Sequence, residues 1–291
     1  MQHHSAGMAS YGGAGRPGSA PSLDAALSGI VWDRPWLAPY ARLGRRVVAG
    51  LKRGATLAAS LQGVIESERH DPADPSAASA EPRVGFVPAG LRPAEEAYES
   101  YIARTAQVPV RDDLHDFFNG LVWLRLPALK LAMAVLHAEQ IAVHGASGRR
   151  SRLRDAITLL DESGAVWAVP PSLTAAWQER RWDALFDAGE PAWSSQAPWL
   201  VGHGLLAQLV HPRKSITAHV WSLPAGSDSC DLPACADALR TFLGAARRPL
   251  PVLGVPGWWP ANREPGFYND PQVFRPLPPV RPDAPRRPAR A

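Results

Sequence analysis

Thirty prolines in a chain of 291 residues constrain this fold more than any single motif. Proline fixes φ and removes a backbone donor, so regular structure is excluded wherever it is dense. At roughly twice the ordinary ~5% usage, the prolines crowd between Asp71 and Pro93 and again after Pro249. The chain must therefore arrange long irregular segments around a compact centre. That centre has ample material, because 46% of the residues are hydrophobic and 11 are tryptophan.

The two ends differ from the middle. Met1 to about Ser22 is rich in Gly, Ala and Ser, and Pro278 to Ala291 is rich in Pro, Arg and Ala. Neither carries an apolar periodicity that would offset the entropy of ordering it, so both are expected to be disordered. Between them a single globular domain over 23–277 is expected, with a mobile linker at about 69–92. The linker holds HDPADPSAASAEP and a short strand-like VGFVP.

Apolar spacing and capping residues predict helices over Asp33–Val48, with Asp33 as N-cap, and over Ala55–Ser67. Pro93 is expected to open a helix running to about Thr105. Helices over Arg111–Leu124 and Ala128–Val143 follow, ended by Pro127 and Gly145. AITLLDESGAVWAV reads as two partly β-branched runs around Asp161-Glu162-Ser163-Gly164, the composition of a β-hairpin. Helices near Ser172–Asp187 and Pro198–Val210, a strand over Ser215–Leu223 and a helix over Asp231–Leu243 complete the order. The predicted class is α+β: a mostly helical domain with a small antiparallel sheet, made of a hairpin at 156–169 and a strand at 215–223. The Pro-rich C-terminal arm carries Trp258, Trp259, Phe267, Tyr268 and Phe274 and should wrap back onto the domain.

Several function classes lose ground. The formal charge of +4 is local, with arginines concentrated in Arg149–Arg154 and in the tail from Arg281. Cys230 and Cys235 match neither a zinc site nor a CxxC redox motif and read as reduced or incidental thiols. No leader pattern and no stretch of ~18 uncharged apolar residues is found, so a cytoplasmic chain without a membrane partner is expected. No GxSxG elbow, P-loop, HExxH, GxGxxG after a strand or EF-hand loop occurs.

The residues able to carry chemistry fall in a few segments. On the helix from Arg111, Leu114, Phe117, Phe118, Leu121, Val122 and Leu124 share one side. Asp112, His115, Asp116, Asn119 and Trp123 share the other. This stripe is either the solvated side of an amphipathic helix capped by Asp112, or a surface where His115 and Asn119 at i, i+4 address one ligand beside Asp116. His203 lies between two glycines that permit close approach of backbone or ligand. His219, with Thr217 and Trp221, is on the strand face opposite Ile216, Ala218 and Val220, where it either lines a groove or meets water. GRRSRLRDAITLLDE adds Arg149, Arg150, Arg152 and Arg154, then Asp155, Thr158, Asp161 and Glu162. Arginine forks suit phosphate or carboxylate, and strand-end acids suit metal or acid/base roles, although an exposed basic loop before an Asp-Glu turn has the same composition.

HDFFNGLVWLRLP, RDAITLLDESG, GHGLL, KSITAHVWSL and LGVPGWWPANREPGFYNDPQVFRP, in this order over about 98–276, resemble the bacterial domain-of-unknown-function family 3025. The resemblance implies a bacterial protein and carries over no catalytic or binding residues. From the residues alone, the expected activity is that of a hydrolase or transferase acting on a small anionic or phosphorylated substrate. Its site would be drawn from His115, Asp116, Asn119, Arg154, Asp155, His203 and His219. His115 or His203 would be general base or metal ligand, Asp116 its orienting partner and Arg154 the anion holder. A binding module for nucleic acid or an acidic partner, using Arg149–Arg154, the basic tail and the aromatic arm, is the alternative. An assembly protein docking through that arm is another. Cofactor and metal are left open.

Overall fold

The computed structural model describes residues 22–69, 84–145, 151–187, 189–194, 197–227 and 231–278. The predicted disorder of the two ends, Arg149, Arg150 and Cys230 lie outside these residues. So does most of the predicted linker.

The N-terminal part is helical. After α1 (Leu23–Ser28), capped by the Ser22 hydroxyl accepting from Ala25 N–H, a 3-10 turn at Pro35–Leu37 leads into α2 (Ala41–Lys52). The expected helix start at Asp33 is thus too early, because Pro35 and Pro39 break the first turns. Then α3 (Leu57–Arg69) buries Leu57, Leu61 and Val64 along one face. Of the segment expected at 69–92 to hold a mobile linker and a strand-like VGFVP, residues 70–83 lie outside the described residues and the strand forms. Val84 begins an ordered stretch in which β1 (Gly85–Pro88) pairs in parallel with β2 (Gln107–Val110). Between the two strands, α4 (Tyr98–Thr105) starts five residues after Pro93. It ends at Ala106, whose left-handed φ of 54° turns the chain into β2.

The central helices are α5 (Leu114–Arg125) and α6 (Pro127–His144), bent by 112° at the proline. Asp113, rather than Asp112, caps α5 by accepting from Asp116 N–H at 2.8 Å. Asp112 instead accepts from Leu57 N–H at 2.8 Å, at the start of α3. No single helix among the described residues is long and apolar enough to cross a membrane.

The predicted hairpin at 156–169 is not formed. Its first half is the end of α7 (Arg152–Ser163), capped by Ser151, and only its second half is a strand, β3 (Gly164–Ala168). Ala156, Ile157 and Leu160 are buried, with Leu153 packed against the core: a 3- and 4-residue spacing that outweighs β-branching. The helix predicted at Ser172–Asp187 is broken into α8 (Pro171–Gln178) and α9 (Trp182–Phe186), with Arg180 at a φ of 52° between them. A short α10 (Gly189–Ser194) precedes β4 (Trp199–Leu200), which replaces the expected start of a helix at Pro198, and α11 runs only over His203–Gln208.

The strand expected at Ser215–Leu223 is β5 (Thr217–Leu223), followed by α12 (Ala236–Gly244) and β6 (Arg248–Pro251). The sheet has the order β4-β3-β5-β6. It is mixed rather than antiparallel, because β3 and β5 run in parallel while β4 and β6 pair antiparallel at the edges. The class is α+β. One cluster of buried side chains runs from Leu27 to Phe274. The arm wraps back as expected: Trp258 and Phe274 are buried, Phe186 stacks on Tyr268 while Phe274 meets both edge-on, and Trp182 Nε1 donates to Arg275 O at 2.8 Å.

Candidate functional site

Both faces of α5 are covered by protein. Phe117, Phe118, Leu121 and Val122 enter the core, while Asp116, Asn119 and Trp123, also buried, face a cavity of about 250 Å³. The stripe from Asp116 to Trp123 therefore faces the cavity rather than bulk water, while Asp112 is exposed and His115 partly so. The cavity is closed by α4, α5, α6, α7 and α11, and its wall carries Tyr98, Glu99, Arg111, His115, Asp116, Asn119, Lys130, His137, Asp161, Glu162 and His203.

At the mouth, His115 and His203 meet with Nε2 atoms 3.0 Å apart and rings at 71°. Glu162 Oε1 is 3.6 Å from His203 Nε2 and 3.8 Å from His115 Nε2. Tetrahedral coordination with bonds of about 2.1 Å sets ligand atoms about 3.4 Å apart, close to this triangle. The three side chains thus suit one divalent cation with a position left open, since His115 and Glu162 keep 43% and 46% of their side-chain surface accessible.

Behind His203 a second layer forms. Its Nδ1 lies 3.4 Å from Asp161 Oδ1, and Asp161 is paired with the buried Lys130, whose ammonium also sits 5.4 Å from the Trp123 ring centre. Protein surrounds the Asp161 carboxyl, though 29% of the side chain stays open to the cavity. Burial pushes its pKa up, but the attraction and hydrogen bonding of Lys130 and His203 prevail and hold it far below the usual aspartate range. That carboxylate lies on the Nδ1 side of the ring, opposite the nitrogen that faces the mouth.

The rest of the wall is polar. Arg111 donates from Nε and Nη2 to the two Asp116 oxygens at 3.0 Å each, and its backbone N–H donates to Oδ2 at 2.7 Å. Hydrogen bonding to Asp116 raises the guanidinium pKa further. Asn119 Nδ2 donates to the Tyr98 hydroxyl oxygen at 3.0 Å, and His137 Nδ1 lies 3.5 Å from Glu99 Oε1.

Local sequence explains the assembly. A Cβ on Gly202 would lie 2.6 Å from the backbone nitrogens of Ser163 and Gly164, and one on Gly204 would strike Glu162. Glycine on both sides of His203 is what lets α11 approach the end of α7, as the sequence suggested. Asp161 and Glu162 occupy the last turn of α7, where acidic side chains oppose the helix dipole and no basic residue compensates. A cation there is favoured by both carboxylates and dipole.

Of the residues expected to form a site, His115, Asp116, Asn119 and His203 line this cavity together. Three others do not join them. Arg154 and Asp155 are in the first turn of α7: Arg154 is buried against the C-terminal end of α6, with Nη1 3.4 Å from Gly145 O, and Asp155 is exposed. His219 is half-buried on β5, opposite Gly164 and Pro249, where burial and Arg247 lower its pKa. Asp161 and Glu162 stand at the helix end instead of a hairpin turn. Lys130, His137, Tyr98 and Glu99 were not among the site residues expected. Lys130 and His137 interrupt the most apolar helix of the chain, a signal that two buried polar groups need partners.

A protein-family model described as Protein of unknown function (DUF3025) matches residues 84–278, a span that includes every residue of the cavity wall. It agrees with the resemblance read from the motifs between 98 and 276. No curated protein and no solved structure matches the chain. Because the family model covers more than half of its length, the chain belongs to the DUF3025 family.

Proposed function

We propose that this protein is a metal-dependent hydrolase of small molecules, with His115, His203 and Glu162 as ligands of one zinc-type cation. The observation that carries the reading is the triangle of Nε2, Nε2 and Oε1 atoms at 3.0, 3.6 and 3.8 Å. Two imidazoles and a carboxylate with a position left open suit a hydrolytic centre, because a bound cation supplies a water acidic enough to act near neutral pH. Asp161 lies 3.4 Å from His203 Nδ1, on the side away from the nitrogen proposed as ligand, and Lys130 keeps Asp161 charged. His137 beside Glu99 offers a proton to the leaving group.

Charge supports a cation more than the anionic substrate expected from the sequence. Four carboxylates, Glu99, Asp116, Asp161 and Glu162, line the cavity against Arg111 and Lys130, and Arg154 is not available to hold an anion. With neutral histidines the wall carries two excess negative charges, the charge of one divalent cation. The binding-module and assembly readings gain no comparable support, since the aromatic arm is packed on the core.

The expected outcome in a panel of small chromogenic esters, anilides and phosphoesters is turnover that chelation abolishes and Zn²⁺ restores. Glu162→Gln should lower kcat/KM by about 10²-fold or more while the chain stays folded. Turnover indifferent to both chelator and Glu162→Gln would refute the metal-dependent reading.

A further inference from the structure

Beyond the three proposed ligands, the cavity holds a polar pair whose hydrogen bonding is incomplete. Asn119 is 5% exposed and its Oδ1 has no hydrogen-bond partner, while its Nδ2 donates to the Tyr98 hydroxyl oxygen at 3.0 Å. That contact engages the oxygen as acceptor and leaves the Tyr98 O–H to donate. The pair thus leaves one unpaired acceptor, enclosed by protein, and one unpaired donor in the cavity wall.

Turning the Asn119 amide over does not change the count. Oδ1 would then accept from Tyr98, leaving Asn119 Nδ2 as free donor and the phenol oxygen as free acceptor. Leaving a buried polar atom unpaired costs about 1–3 kcal/mol, so such a pair marks a place where a ligand completes the bonding. Burial keeps the phenol protonated by raising its pKa, and the nearby carboxylates of Asp116, Asp161 and Glu99 add to that effect.

We infer that the Tyr98–Asn119 pair recognises a neutral amide-type edge, a C=O beside an N–H, so that the substrate is a small carboxamide, lactam or ureide. A carboxylate or phosphate offers acceptors only and would leave the free acceptor of the pair unsatisfied. It would also face the excess negative charge of the wall. The site rejects such anions for the reason that a polar pocket rejects any ligand lacking the matching group. Hydrolysis of a bound amide balances simply: water oxygen bonds to the carbonyl carbon, the C–N bond breaks, and the water proton leaves on the amine.

The inference rests on reading this cavity as a substrate site, and its test separates the two. Benzamide and its isosteric anion benzoate are titrated by ligand-observed NMR into the full chain stripped of metal by chelator. Zn²⁺ retention is measured on the untreated chain. Benzamide should bind at least about tenfold more tightly than benzoate. Tyr98→Phe, which removes one oxygen, should weaken it about tenfold, and Asn119→Leu should abolish it. If Asn119→Leu fails to fold, Tyr98→Phe decides. Equal binding of benzoate, absence of benzamide binding, or benzamide binding unchanged by Tyr98→Phe would overturn the inference. Benzamide binding by a chain that retains no Zn²⁺ upholds the amide edge and refutes the metal centre, and the converse result does the reverse.

Discussion

At the scale of single residues, Asp161 links the buried cation Lys130 to the imidazole of His203. Its carboxylate neutralises Lys130, which is only 4% exposed, and faces His203 Nδ1 at 3.4 Å. Because its folded pKa lies below the ordinary 3.8, the ionised form stabilises the fold fully above that value, and the contribution fades as pH falls below it. Asp161→Asn should therefore cost on the order of 3 kcal/mol at neutral pH by leaving a buried ammonium unpaired. The gap to the parent chain should narrow below about pH 4. The same substitution should weaken Zn²⁺ binding about ten- to a hundredfold. Urea denaturation at several pH values checks the first effect, and a gap constant with pH would contradict an ionised Asp161. Half of this residue-level picture was legible in the sequence. His115, Asp116 and Asn119 share a helix stripe by spacing alone, and the glycines beside His203 announce close packing. Arg154, Asp155 and His219 share with them only a polar character within otherwise apolar segments, which fixes no position in space.

At the scale of elements, the decisive structure is the junction of α7 with β3. Read as a hairpin, DESG would have exposed Asp161 and Glu162 on a turn. Formed as a helix end, the same residues stand on one turn beside α11 and reach His203 together. The β-branched residues and the Ser-Gly pair gave a turn signal, but the spacing of Leu153, Ala156, Ile157 and Leu160 gave a helical one. Burial of that face decided between them. The mixed sheet was not legible, since the parallel pairing of β3 with β5 depends on contacts between segments far apart in sequence. The close approach of α11 makes a further prediction. Gly202→Ala puts a methyl against two backbone nitrogens that cannot step aside, and should cost about 1–3 kcal/mol. Gly204→Ala meets above all the end of the Glu162 side chain, which can move, and only more loosely the Glu162 carbonyl oxygen at 3.0 Å, and should weaken Zn²⁺ binding more than it lowers stability. Denaturant midpoints and Zn²⁺ titrations of both variants test the division. A Gly202→Ala chain as stable as the parent would argue against this packing.

At the scale of the whole molecule, the prolines and the tryptophans are two sides of one design. Proline-rich stretches keep the elements short, and aromatic side chains from distant segments fill the space between them, so one core reaches from Leu27 to Phe274. The three proposed ligands belong to α5, α7 and α11, elements far apart in the chain that the core brings together. A ligand that binds the folded chain and not the unfolded one raises the melting temperature with concentration, so Zn²⁺ should stabilise the full chain. The most direct test of the metal centre is equilibrium dialysis of the full chain against Zn²⁺, with bound metal determined by mass spectrometry. One ion per chain, lost in His115→Ala and in His203→Ala while the circular dichroism spectrum is kept, is the predicted result. No retained Zn²⁺, or retention undiminished in both variants, would contradict it.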